Sequence, residues 1–78
     1  MNIELAILLV LTSSQRSIPA GLIQAKLGQF TPDTPSLTDI DRICRALERT
    51  SPPEVKGTFN KDAGMLWKET DDGRQRLP

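Results

Sequence analysis

The chain has 78 residues, ten Lys and Arg against ten Asp and Glu, no His and one Cys. That length suits one small domain with a limited core, and 37% hydrophobic with 26% charged residues excludes the composition of a disordered chain. A single Cys rules out an intramolecular disulfide and, with no His, makes no zinc cluster; zero net charge argues against indiscriminate nucleic-acid binding and requires any such activity to use a local basic face.

Residues 2 to about 14 read as the first helix, with Asn2 as its N-cap and Thr12-Ser13-Ser14 closing the apolar stretch. The run Leu5 to Leu11 is too short to span a bilayer. It also lacks the basic start of a signal peptide, since Glu4 is the only charge before it. The expectation is therefore a mature, buried helix in a cytoplasmic protein with no membrane partner. Apolar residues nearly encircle it. Ile3, Ala6, Ile7 and Val10 share one side, and Leu5, Leu8 and Leu9 take the other. Two outcomes fit: the helix runs through the centre of the domain, or its second face meets another subunit in a homodimer.

Arg16-Ser17-Ile18 is short and extended. Ser17 is placed to cap a second helix over about 19–27, with Pro19 in its first turn and Gly28 as its stop. A proline-shaped connection, Gln29 to Pro35, follows. Thr34 or Ser36 then caps a third helix over about 36–50. With Ser36 as the cap, Asp39 occupies the capping-box position.

This third helix carries the most informative pattern. At about 100° per residue, Leu37, Ile40, Ile43, Cys44 and Leu47 share one side. Arg42, Arg45 and Arg49, with Thr38 at the N-terminal end, lie within roughly 60° of each other on the opposite side. Cys44 on the apolar side reads as a small buried hydrophobe rather than a reactive thiol. Asp41 and Glu48 are spaced to pair with Arg45, and the acids Asp39, Asp41 and Glu48 flank the arginines.

Ser51-Pro52-Pro53 ends the helix. Two strands over about 54–70, joined by Asn60-Lys61-Asp62-Ala63-Gly64, predict a hairpin with Val55, Phe59, Met65 and Trp67 facing inward. Thr70 then caps a final short helix, where Asp71-Asp72 reads as first-turn acids rather than a catalytic pair. No phosphate loop, nucleophile elbow or metal cluster is present in the sequence, so neither catalytic residues, metal nor cofactor are expected and the chain is not read as an enzyme.

The order of helix, short strand, helix, helix and hairpin resembles a winged-helix domain. Ala6 to Leu11 resembles the leucine-rich first helix of PadR-like and MarR-like bacterial regulators. Gly21 to Gly28, ending in Leu-Gly, is similar to their second helix, and Ile40 to Arg49 to their recognition helix. Trp67 to Leu77 resembles the Leu-Thr-x-x-Gly-Arg-x-x-Leu segment after the wing. The chain differs in its longer connection with Pro32 and Pro35, in Pro52-Pro53-Glu54-Val55 leading into the wing, and in Glu69 where the family has an apolar residue.

The resemblance implies an α+β fold over residues 1–78: a three-helix core with a C-terminal β-hairpin wing. It also implies a transcriptional regulator that reads the major groove of double-stranded DNA with the helix 36–50. Arg42, Arg45 and Arg49 would then face the groove, and Thr38 would meet phosphate or a base edge. Lys56, Lys61 and Lys68 on the hairpin would touch the backbone, with Arg16 a further phosphate contact. The alternative is a winged-helix module that contacts protein within a larger assembly, which a face of mixed charge suits.

Overall fold

The computed structural model describes residues 2–77. Met1 and Pro78, the ends of the expected 1–78 domain, lie outside the described residues. The elements run α1 (Ile3–Ser14), α2 (Ala20–Leu27), α3 (Leu37–Glu48), β1 (Val55–Asn60), β2 (Gly64–Glu69) and α4 (Asp71–Gln75). This is an α+β chain in which three helices precede an antiparallel two-stranded hairpin, an order compatible with a winged-helix-like fold.

Helix α1 is the hub. The Asn2 side chain accepts hydrogen bonds from the amides of Glu4 and Leu5, satisfying two first-turn donors that have no helical partner. Gln15, in a left-handed conformation (φ 58°), ends the helix. Ala6, Ile7, Leu8, Val10 and Leu11 are fully buried, and Ile3 and Leu5 pack against the same core. Residues from both sides of the helix thus enter the core of one chain. Among the described residues, the large hydrophobics left exposed are Leu37 and Phe59, neither on α1. Leu9, on the second side, is half-buried, as are Ile3 and Leu5.

Ile18 forms a two-hydrogen-bond bridge with Trp67, at 2.9 and 2.8 Å, so the short extended segment ties the helical half to β2. That pairing explains a departure from the sequence expectation. Ser17 does not cap α2; Pro19 takes the cap position in extended conformation, with no side-chain hydrogen bond. Ile23 and Leu27 of α2 enter the core. At α3 the open choice of cap resolves to Ser36, whose Oγ accepts from the Asp39 amide at 3.1 Å. The helix ends where Thr50 and Glu54 bond back to the Leu47 carbonyl, which turns the chain into the hairpin.

The hairpin register pairs Val55 with Glu69, Gly57 with Trp67 and Phe59 with Met65. Val55 and Trp67 are fully buried. Gly57 is required by its partner, because a Cβ there would lie 2.6 Å from the indole. Phe59 is not inward as its alternation suggested; it is 72% exposed. The Phe59–Met65 pair lies one step nearer the turn than the Gly57–Trp67 pair, so the strand's inner face outruns the core. Glu69, two residues beyond Trp67 on the same face, is buried instead, and its carboxylate meets Arg74 at 2.9 Å. Thr70 caps α4 through the Gly73 amide and donates to the Pro53 carbonyl.

Gly73 is buried against the Glu54 backbone, and a Cβ there would overlap the Glu54 carbonyl oxygen. Gly73→Ala is therefore expected to destabilise the fold by about 1–3 kcal/mol, the usual cost of overpacking against backbone. Thermal unfolding measures it; an unchanged midpoint would mean that α4 is not held against Glu54.

Candidate nucleic-acid interface on α3 and the hairpin

The apolar side of α3 settles its rotation. Ile40, Cys44 and Leu47 are buried, Ile43 is half-buried against the core, and only Leu37, in the first turn, is largely exposed at 49%. Burial pushes the Cys44 thiol up to about 12, with the charges of Asp41 and Glu48 adding to the effect, so this cysteine is a packing residue with little thiolate at neutral pH.

Thr38, Arg42, Arg45 and Arg49 are exposed on the other side. Two of the guanidiniums are not free. Arg42 is paired with Asp39, and Arg45 with Asp41 through Nε at 2.7 Å. Hydrogen bonding to Ser36 lowers the Asp39 carboxyl below its ordinary range, and Arg42 adds to this. The hydrogen bond to Asp41 in turn raises the Arg45 guanidinium above its usual value. Arg45 also lies over the Trp67 ring, its guanidinium carbon 5.9 Å from the centroid, a cation–π distance. Arg49 has no ion pair among the described residues; its backbone amide closes the helix on Ala46.

Glu48 does not pair with Arg45. Its Oε2 accepts from the Gly57 amide at 2.8 Å, so this acid fastens the last turn of α3 to the first half of β1. Helix and hairpin are joined by a charge-assisted hydrogen bond beside the Arg45–Trp67 contact. Both contacts join α3 to the hairpin, and the Glu48 bond does so independently of Arg45.

Lys56 and Lys68 face each other directly across the two strands. Like charges in that position are unfavourable. Among the described residues only Lys68 of the two has an ion-pair partner, Glu69 Oε1 at 3.9 Å. That same carboxylate is already engaged by Arg74, so the lysine pair is incompletely compensated. Lys61 is exposed in the turn next to Asp62, where Asn60 Oδ1 accepts from the amides of Asp62 and Ala63. Arg16 is exposed after α1. The structure thus places Thr38 and the three arginines on one exposed helix side, and Lys56 and Lys68 on one strand face. Lys61 stands apart at the tip.

The sequence assigned Glu48 to Arg45 and Phe59 to the inner face, both corrected by the structure, and it left the Glu69–Arg74 pair unassigned. Glu69 was signalled by alternation, since Met65, Trp67 and Glu69 share one strand face, and an Arg five residues on is in reach. Glu48 had no such signal, because its acceptor role depends on where β1 falls. Among the described residues no cluster of His, Cys, Asp and Glu could hold a metal, and no helix is long and apolar enough to cross a membrane. No protein-family model, curated protein or solved structure matches the chain.

Two measurements probe this arrangement. Cys44 should resist a thiol reagent at pH 8 in the native protein and react fully on unfolding; rapid native labelling would contradict the assigned rotation of α3. Glu48→Ala should cost about 1–3 kcal/mol, by analogy with other charge-assisted hydrogen bonds, and should speed hydrogen exchange at the Gly57 amide. Unaltered exchange at Gly57 would remove Glu48 from the helix–hairpin junction.

Proposed function

We propose that the chain is a winged-helix DNA-binding module, with α3 as the recognition helix and the hairpin as the wing, acting in transcriptional regulation. The carrying observation is that α3 is anchored through Ile40, Cys44 and Leu47 while Thr38, Arg42, Arg45 and Arg49 remain exposed beyond the core. An element that enters the major groove from a compact domain must be docked on one side and open on the other. The Arg42–Asp39 and Arg45–Asp41 pairs do not oppose this use. They are solvent-exposed and join neighbouring turns of one helix, so each contributes little. A phosphate or the O6/N7 edge of guanine can exchange for a carboxylate at that cost. The pairs instead temper nonspecific attraction, in keeping with a chain of zero net charge.

A second reading is a winged-helix module that meets a protein partner. It is favoured by the alternation of sign along α3, where Asp39 and Asp41 stand among the arginines, and by the exposed Leu37 and Phe59. DNA binding rests on the arginines, whereas a protein interface would also use the acids.

Binding to random-sequence duplex DNA, followed across a salt series, separates the two. The DNA reading predicts affinity that falls steeply with salt. It also predicts that Arg42→Ala with Arg45→Ala keeps the fold, loses retention and lowers the salt slope by about 2. Asp41→Asn, which releases Arg45, should bind more tightly than the wild type. A double-arginine variant that binds as well as the parent would reject these residues as the interface, and absence of duplex binding at about 50 mM salt would favour the protein reading.

A further inference from the structure

Between the hairpin and the extended segment before α2 lies a recess of about 340 Å³, lined by Ser17, Lys56, Thr58, Lys68, Glu69 and Thr70. The strand pairing explains how these residues meet. Lys56 is directly opposite Lys68, and Thr58 follows on the same face of β1. Ile18 bridges Trp67 in antiparallel sense, so Ser17 falls opposite Lys68 and shares its face. Three neighbouring lengths of backbone thus bring two ammonium groups and two hydroxyls to one space. The Ile18–Trp67 hydrogen bonds, at 2.9 and 2.8 Å, hold the Ser17 wall against the hairpin.

The charge of this recess is not balanced from within. Directly opposed lysines repel. Lys56 has no ion pair among the described residues. Lys68 Nζ is 3.9 Å from Glu69 Oε1, beyond hydrogen-bonding distance, and that oxygen already accepts from Arg74 at 2.9 Å. The Glu69 side chain is only 1% exposed, so its carboxylate belongs to the interior rather than to the open surface. Glu48 and Asp72 share a neighbouring recess with Lys56, but Glu48 is committed to the Gly57 amide. The Thr70 hydroxyl is also spent, donating to the Pro53 carbonyl and accepting from the Gly73 amide. The Ser17 and Thr58 hydroxyls have no hydrogen-bond partner among the described residues. Two cations and two hydroxyl donors are therefore left open to a ligand.

We propose that this recess binds a small phosphomonoester, whose phosphoryl group takes the Lys56 and Lys68 ammoniums and the Ser17 and Thr58 hydroxyls. A monoester carries a charge of about −1.5 to −2 at neutral pH and three free oxygens. Two lysines match the charge, and the hydroxyls add donors for the oxygens that the lysines leave. A phosphodiester has one charge and two free oxygens, so it satisfies the set only in part. The volume is at the lower end of ordinary ligand pockets, which suits a phosphoryl group with a small organic remainder. The site stands on its own geometry and does not depend on the DNA reading. On that reading an occupant would take the two lysines given to the duplex backbone and leave the α3 arginines in place.

Titration of the labelled chain with phenyl phosphate, at about pH 7.5 and constant ionic strength, tests the proposal through amide chemical shifts. Saturable shifts are expected at Ser17, Lys56, Thr58 and Lys68. Dimethyl phosphate, a diester, should bind at least about tenfold more weakly. The second ionisation of a monoester lies near pH 6, so affinity for phenyl phosphate should fall about threefold or more on going to about pH 5.5. Affinity for sulfate, a dianion throughout, should hold. Lys56→Gln with Lys68→Gln relieves repulsion on an open face; near-ultraviolet circular dichroism should show it folded, with phenyl phosphate bound at least about tenfold more weakly. Absence of saturable shifts up to about 50 mM phenyl phosphate overturns the proposal. So do shifts centred on Arg42, Arg45 and Arg49, a diester that binds as tightly as the monoester, or a double-lysine variant that binds like the parent.

Discussion

The burial of one side of α3 is the constraint on which the rest depends. Ile40, Cys44 and Leu47 are removed from water against the core built on α1, and full burial of each Ile or Leu side chain is worth about 1.5–3 kcal/mol. Rotating the helix by a single residue would turn this stripe toward solvent and drive arginines inward, where an unpaired charge is far more costly than any contact it could gain. The apolar stripe therefore decides where every charged group on α3 points. The exposed ion pairs follow from that orientation and contribute little to setting it.

A second layer of constraint sets the hairpin relative to the helix. Trp67 fills the space beneath Arg45, Gly57 yields room for the indole, and the Gly57 amide is held by Glu48. The Ile18–Trp67 bridge ties the same strand to the segment before α2. Trp67 is thus the residue through which α3, the hairpin and the first half of the chain are brought into one arrangement. On the proposed function, that junction joins recognition helix and wing. Beyond it, the inner strand face continues without a core to cover, which is why a phenylalanine ends in solvent.

Much of this organisation is legible in the sequence because it follows from local rules. Asn2, Ser36 and Thr70 cap helices as their side chains predict, and a 3.6-residue period locates Ile40, Cys44 and Leu47 as the buried side of α3. The order of helices and hairpin follows from the prolines and the turn residues. What escapes the sequence depends on tertiary placement. Alternation assigns Phe59 to the inner face but cannot say where the core stops. The encircling hydrophobicity of α1 is compatible with a partner subunit or a central position, and the sequence does not show that α2, β2 and α4 pack around it. Glu48 reads as one more surface acid until β1 brings an amide to it. Spacing did foresee that Arg45 pairs with Asp41, but it offered Glu48 as an equal partner, which the hairpin takes instead.

The central claim is that one outward side of α3 and the adjoining hairpin form the working surface. Amide chemical-shift mapping tests it most directly, with labelled protein titrated at low salt by a mixed-sequence DNA duplex. The account predicts shifts concentrated at residues 38–49 and 56–68, with the buried amides of α1 unmoved. Shifts confined to α1 and α2, or a spectrum that does not change at saturating duplex, would contradict it.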